Sequence, residues 1–505
     1  MKMKMFVEKT TVAVRGAAFV ALLVGVGAAP GMTTMTVPAA TDVGANTADV
    51  YPPASTAVNS SLFPPESVVG FPGPTPTGAE PFAIQTAPAY PYNDGSASSY
   101  PLILPQPHGS GSQSPNLDIA KYWGNLSPWY SVRSADYGLP DASPLIPDGC
   151  EITQMHLLYR HGARYPTSDA APAKFAQKIV NATKTDGLAF SGELEWLANW
   201  KYKLGAELLT PSGRSENFML GVEYRQLYGH LLNNFTESGK IPVFRTESQD
   251  RMVHTAENFA AGFFGVPEYM SQVNIELLVE TLGVNNSGAP YEICNNSNIA
   301  SRGSIGSKVA SDFAHSAFNA TLARLQSQVE GITLTSTDAI AMLQLCSPVA
   351  AAQGKGFLDE FIARFTQTYP QANSALNETF DNSSTYFPLD QSIYADATHE
   401  VVVLDVLTAF NLTALFKGGP LSGKGNEGKS AFVASKVVPF ATHFTTQVME
   451  CRAMVPTKQI RFIVNDAVLP IDGSYPGCPD DANGLCSFDN VVDMLKKRSA
   501  EIDFE

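Results

Sequence analysis

Positive charge is missing from a long stretch of this chain: between Gly16 and Ala120 there is not one Lys or Arg. Charged side chains make up only 16% of the 505 residues, against about 25% in ordinary globular chains. The 33 basic residues are outnumbered by 48 acidic ones, giving a net charge of −15 and a pI near 5.0. That balance excludes a nucleic-acid binder, because a phosphate backbone is held by clustered Lys and Arg. No CxxC pair occurs among the six cysteines, so a zinc ribbon is excluded and disulfides are the better use for an even number. Beyond the first thirty residues no apolar run approaches the ~20 residues that cross a bilayer.

What is present at the N-terminus reads as an export signal. Lys2, Lys4, Lys9 and Arg15 precede an apolar run from Ala17 to Ala29 that ends in small residues, and the run is too short to span. Residues 1–29 are a signal peptide or, if retained, a signal-anchor, the one route to a membrane. Sixteen of the 35 prolines follow between Pro30 and Pro115, mixed with Ser, Thr, Gly and Ala. Such a segment buries too little apolar surface to offset its ordering entropy, so 30–117 is expected to be a disordered stalk or removable pro-segment. Ten Asn-x-Ser/Thr acceptors (Asn59, Asn125, Asn181, Asn234, Asn285, Asn295, Asn319, Asn377, Asn382 and Asn411) behind a signal predict a secreted protein carrying N-glycans.

The folded part is expected over 118–505. Ile152 to Tyr159 alternates as a buried strand and ends at Arg160-His161-Gly162. Ser307 to Gly331 and Ser336 to Ala352 read as amphipathic helices, and Val401 to Phe410 as another that Thr398 can cap. Arg461 to Val464 reads as a late strand. Strands at both ends with a helix-rich middle indicate an α/β core carrying a helical insertion.

The most informative stretch is Arg160-His161-Gly162-Ala163-Arg164-Tyr165-Pro166. Two guanidiniums and an imidazole directly after a strand can surround one small anion. Arg forks match phosphate oxygens bidentately and stay charged, and a histidine there can attack phosphorus to give a phosphohistidine. The alternative is a surface turn with two solvated arginines. A histidine beside arginines must be neutral to attack, and a carboxylic acid must be protonated to donate, so such a site works in mild acid.

The heptapeptide resembles the signature of the histidine acid phosphatases, within the phosphoglycerate-mutase-like superfamily. The resemblance runs from about Tyr122 to Phe488 and is most like the fungal phytase and acid phosphatase branch. Cys150-Glu-Ile-Thr, Leu209-Thr210-Pro211-x-Gly213, Val437-Val438-Pro439-Phe440-Ala441, Val464-Asn465-Asp466 with Pro470, and Gly477-Cys478-Pro479 with Cys486 add to it. It implies a phosphoglycerate-mutase-like α/β core with a helical insertion, a phosphate monoester as substrate, and neither cofactor nor metal. His161 then matches the nucleophile, and Arg160 and Arg164 two phosphate-clamping arginines. For the third clamp, Arg245 in Phe244-Arg245-Thr246 is preferred to Arg251. His399 matches a phosphate-binding histidine and Glu400 the proton donor, with Asp396 in reserve. Glu400 stands where the family usually has Asp, and Val401 where phytases usually carry Asn. That departure leaves open a degenerate phosphatase that binds phosphate esters without efficient turnover. The resemblance also implies bridges Cys150–Cys451 and Cys478–Cys486, with Cys294 and Cys346 expected to pair with each other.

Phytate specialists tend to carry a lysine-rich rim after the signature. Here Lys174, with Lys178, Lys201 and Lys203, offers a sparse one, so broad acid phosphatase and dedicated phytase both stand. Gly423 to Ser430 satisfies the P-loop pattern GxxxxGKS but follows a turn-rich run rather than a strand, and reads as a surface loop. Asp480-Asp481-Ala-Asn483-Gly484 resembles a calcium loop faintly, lacks its terminal Glu, and reads as the turn of a small disulfide loop.

Overall fold

The computed structural model describes residues 119–502 except 168–169, 185–186, 199, 201, 203–206, 282, 295–298, 345–354, 372–375 and 418–431. The expected signal, the Pro-rich stretch, the 423–430 motif, Lys201, Lys203 and Cys346 therefore lie outside the described residues. The strands that matter are β1 (Cys150–Arg160), β2 (Ala189–Phe190), β3 (Val243–Glu247), β4 (Asn274–Leu278), β5 (Val329–Glu330), β6 (Ile393–Thr398), β7 (His443–Cys451), β8 (Lys458–Val464), β9 (Ala467–Val468) and β10 (Cys486–Ser487). Eight of them form one mixed sheet in the order β10–β8–β7–β1–β6–β3–β4, with β9 on β8. Within it β1, β6, β3 and β4 are parallel, while β7, β8 and β10 extend the sheet antiparallel.

The principal helices are α1 (Ala171–Ala182), α2 (Pro211–Tyr228), α3 (Asp250–Phe264), α4 (Ile305–Gln326), α5 (Ser336–Gln344), α6 (Lys355–Thr366), α7 (Glu400–Ala409) and α8 (Phe488–Glu501). Successive side chains of β1 point to opposite faces, and both faces are covered. Met155, Leu157 and Tyr159 join Leu220 and Tyr224 of α2 and Phe259 and Phe263 of α3 in one core. Leu158 joins Phe357 and Phe361 of α6, Val402 and Val406 of α7, and Val491 and Leu495 of α8 in the other. A separate small core, built on Phe175 and Ile179 of α1, Leu194, Val329 and Ala341, belongs to the helical part beside β2 and β5. The expected α/β core with added helices is what forms.

Three local expectations change. The helix expected over 307–331 stops at Gln326, because Val329 and Glu330 leave it to pair with β2. Its amphipathic reading is also corrected: Ala314 is the one buried residue of α4, and Ile305 and Phe313 are exposed. Thr398 does not cap α7. It ends β6, its hydroxyl donating to Glu247 Oε1 (2.7 Å) and the Gly288 carbonyl (3.1 Å), and His399 takes the N-cap position. The bridges Cys150–Cys451 and Cys478–Cys486 are both formed. Between the latter two, Asp481 Oδ1 accepts the Asn483 and Leu485 amides, the turn expected there. Among the described residues no helix is long and apolar enough to cross a membrane.

Candidate active site

The site lies at the carboxyl ends of the parallel strands, the usual ligand crevice of an open α/β sheet. Arg160 of β1 stands level with Thr398 of β6, so the residues that follow, His161 and His399, emerge side by side. Their ring centres are 5.7 Å apart, with the planes near perpendicular. Both are buried.

The turn carrying His161 is pinned against the start of α2. Thr210 caps that helix by accepting the Gly213 amide (3.1 Å), and its own hydroxyl donates to the Ala163 carbonyl (3.0 Å). A Cβ on Gly213 would stand 1.9 Å from that carbonyl, and one on Gly162 would stand 2.1 Å from the Gly213 carbonyl, so both positions need glycine. This contact explains why the Leu-Thr-Pro-x-Gly block accompanies the heptapeptide. Glu216 completes the clasp by accepting the Ala163 amide at 2.6 Å, while burial pushes its carboxyl up to about 7.

The His161 Nδ1–H faces the Gly162 carbonyl at 2.9 Å, which makes Nε2 the nitrogen with the free lone pair. Burial first, then the charges of Arg160, Arg164, Arg251 and His399, hold its pKa well below the ordinary histidine value. The ring is therefore neutral and nucleophilic in mild acid.

His399 is pushed the other way. Burial opposes its charge, but Glu247 (2.5 Å) and Glu280 (3.1 Å) at Nε2 outweigh that and raise its pKa. Glu247, Glu280 and His399 are also a set of ligand atoms close enough to hold a metal. In this arrangement both carboxylates lie against the imidazole and favour its protonated form.

Arg160 is enclosed. It pairs with Glu400 Oε2 at 2.9 Å, donates to the carbonyls of Val438 (2.9 Å) and Asn125, and lies over the Phe440 ring at 4.5 Å. Arg164 donates to the Tyr165 carbonyl and Thr167 hydroxyl. Burial, Arg251 and Arg160 press its pKa down to about 9, still charged in mild acid. Arg251 pairs with Glu207 at 2.8 Å. The Nε–H groups of Arg160, Arg164 and Arg251 are all buried and meet no acceptor among the described residues. Buried donors are rarely left so, and a phosphoryl group supplies the oxygens they lack.

Arg245, expected as the third clamp, does not join this group. It lies inside β3, opposite Asp396 of β6, and is consumed there by Asp396 (2.7 Å) and Glu360 (2.6 Å). Arg364 closes the same buried network on Asp396. Asp396 is correspondingly held far below the usual carboxylate range: burial would raise it, but the two arginines dominate. It is no reserve proton donor. Arg251 lies near His161 and Arg164 instead, because it sits on the first turn of α3, shortly after β3, as His161 and His399 directly follow β1 and β6. Position after a strand end was the signal that separated the two arginines.

Glu400 opens α7. Burial raises its pKa, against Arg160, the Asn125 hydrogen bond, Arg164 and His399, which lower it. Asn125 Nδ2 donates to Glu400 Oε2 at 2.8 Å. Nothing in the sequence marked Asn125 for the site; it was expected to carry a glycan.

The model of the histidine phosphatase superfamily (branch 2) matches residues 151–348 and 344–465. The chain belongs to that family. Phytase A of Aspergillus oryzae is 27% identical over 438 residues, covering 75% of this chain and 88% of that one. Phytase A of Neurospora crassa is 25% identical, covering 79% and 95%. Among solved structures, the phytase of D. castellii aligns with a TM-score of 0.59 at 18% identity, covering 76% of this chain and 86% of that one, a likeness of fold. The histidine phosphatase match ends at Asn465, the residue whose side chain accepts the His443 amide and the Thr442 hydroxyl to fix the loop behind His161.

Proposed function

We propose that this histidine phosphatase hydrolyses phosphate monoesters in mild acid through phospho-His161. The single observation that carries the reading is a neutral His161, its Nε2 free, among three arginines whose buried Nε–H groups have no acceptor among the described residues. Arg160, Arg164, Arg251 and His399 bind the phosphoryl oxygens and hold the developing charge. His161 Nε2 forms a bond to phosphorus as the ester P–O bond breaks, and Glu400 gives its proton to the leaving oxygen. Water then attacks the phosphohistidine, returning a proton to Glu400 and releasing phosphate and neutral His161.

For substrate, the relatives named phytase support inositol phosphates among the esters accepted. Of the described rim lysines, Lys178 is held by Asp338 (2.5 Å) and the Thr333 carbonyl, and Lys174 is exposed. A broad phosphomonoesterase that includes phytate in its range fits both facts. Export is part of the proposal, supported by the N-terminal signal pattern and the disulfides. Asn181, Asn319, Asn382 and Asn411 are exposed and suited to glycans. Hydrolysis of p-nitrophenyl phosphate near pH 5, lost in His161→Ala, is the test; binding of phosphate esters without turnover would refute it.

A further inference from the structure

We infer that Asn125 is a positioning residue for Glu400, fixing where its carboxyl lies and which of its oxygens carries the proton. This rests on Glu400 being the proton donor. The Asn125 amide donates to Glu400 Oε2 (2.8 Å), and Arg160 Nη2 donates to the same oxygen (2.9 Å). Two donors make Oε2 the acceptor oxygen, so the acid proton belongs on Oε1, which bonds no described residue. The backbone carbonyl of Asn125 accepts Arg160 Nη1, so one residue grips both members of the Arg160–Glu400 pair.

Asn125 is itself held rigidly. It is buried on a short turn, Gly124–Leu126, tied by Ser127 N to the Gly124 carbonyl and by Phe440 N to the Ser127 carbonyl. Val401, the neighbour of Glu400 in sequence, packs with the apolar core and offers no polar atom of its own side chain. The orienting amide comes instead from a residue 275 positions away. Asn125-Leu126-Ser127 also reads as a glycan acceptor, but its amide nitrogen is the atom bonded to Glu400. That atom is buried against Glu400, where a glycan has no room, so Asn125 is unglycosylated in the active enzyme.

The charged groups facing Glu400 are Arg160, Arg164 and His399, and all of them, like the Asn125 amide, favour its ionised form. Removing the amide therefore moves Glu400 toward the protonated form at higher pH. In Asn125→Ala of the full chain, the alkaline limb of kcat/KM should shift upward. Turnover of glycerol phosphate should fall on the order of tenfold to a hundredfold more than that of p-nitrophenyl phosphate. Asn125→Leu, which is close in size and has no donor, should do the same and serves should the cavity in Asn125→Ala cost the fold. Added to Glu400→Gln, either change should bring no further leaving-group-selective loss. If Glu400→Gln discriminates between the esters while both Asn125 variants slow them equally with an unmoved alkaline limb, the positioning role is overturned alone. If Glu400→Gln does not discriminate, the donor reading falls first.

Discussion

His161 and His399 stand 5.7 Å apart between ring centres, yet their protonation is driven in opposite directions. Burial opposes charge on both. Arg160, Arg164, Arg251 and His399 add to that penalty at His161, while His399 has two carboxylates that overcome it. Parallel pairing of β1 and β6 brings the two rings together, and the residues behind each ring drive one toward the neutral form and the other toward the cation.

The first expectation is a pH profile. With His161 held well below the ordinary value of ~6.5, kcat/KM for p-nitrophenyl phosphate should persist far into acid. It should fall on the alkaline side as Glu400 and His399 lose their protons. An acid limb at the ordinary histidine value would contradict the environment described for His161.

Glu400→Gln keeps size and removes the acid. An alkoxide leaves poorly without a proton and a nitrophenolate leaves well, so single-turnover phosphorylation should slow by roughly 10²–10⁴-fold with glycerol phosphate and far less with the aryl ester. If Glu400 served only the helix macrodipole, worth about 0.3–1 kcal/mol, both esters would slow slightly and equally.

Arg251 and Arg245 should separate cleanly. Arg251→Ala removes a charged donor from the phosphoryl cluster, so phosphate inhibition should weaken by roughly tenfold or more while the melting temperature stays near that of the parent. Arg245→Ala leaves Asp396 and Glu360 buried against a missing partner, and loss of one member of such a pair costs about 3–5 kcal/mol. Inhibition by phosphate and thermal unfolding of the two variants check this; the reverse pattern would restore Arg245 to the site.

The heptapeptide and the His399-Glu400 pair were legible in the sequence because each is local: a strand ends, and chemistry follows within two residues. The β1 strand was legible from alternation, and Cys150–Cys451 from a resemblance whose bridged positions are also register partners on β1 and β7. Arg245 was misjudged because a lone Arg in an apolar strand looks the same whether it faces a ligand or a buried carboxylate, and Glu360 and Asp396 are 115 and 151 residues away. Asn125 was misread for the same reason: a tripeptide marks an acceptor only when the side chain is exposed, and burial is set by distant contacts. Thr398 failed as a cap because its hydroxyl was already engaged by Glu247 and Gly288.

His156 offers a prediction on stability. It is fully buried beside Phe361, Phe365 and Tyr394, and neither ring nitrogen has a partner among the described residues. Burial, then Arg364, drives its pKa down against Asp396, so the folded ring stays neutral. Below about pH 6.5 the unfolded chain takes up a proton that the folded one refuses, so stability contributed above that pH is lost as pH falls. His156→Phe should remove this loss, gaining up to about 1.4 kcal/mol over the parent for each pH unit below 6.5. Urea melts of both proteins at pH 7, 5.5 and 4.5 read the difference; a gap that does not widen in acid would sink the idea.

The central claim is the covalent step at His161. Quenching the enzyme into alkaline detergent milliseconds after mixing with ³²P-labelled substrate, followed by peptide mapping at alkaline pH, addresses it directly. The account predicts a base-stable, acid-labile phosphate on the peptide containing His161, absent in His161→Ala. Full turnover of the ester with no label on that peptide at any quench time, or label persisting in His161→Ala, would contradict it.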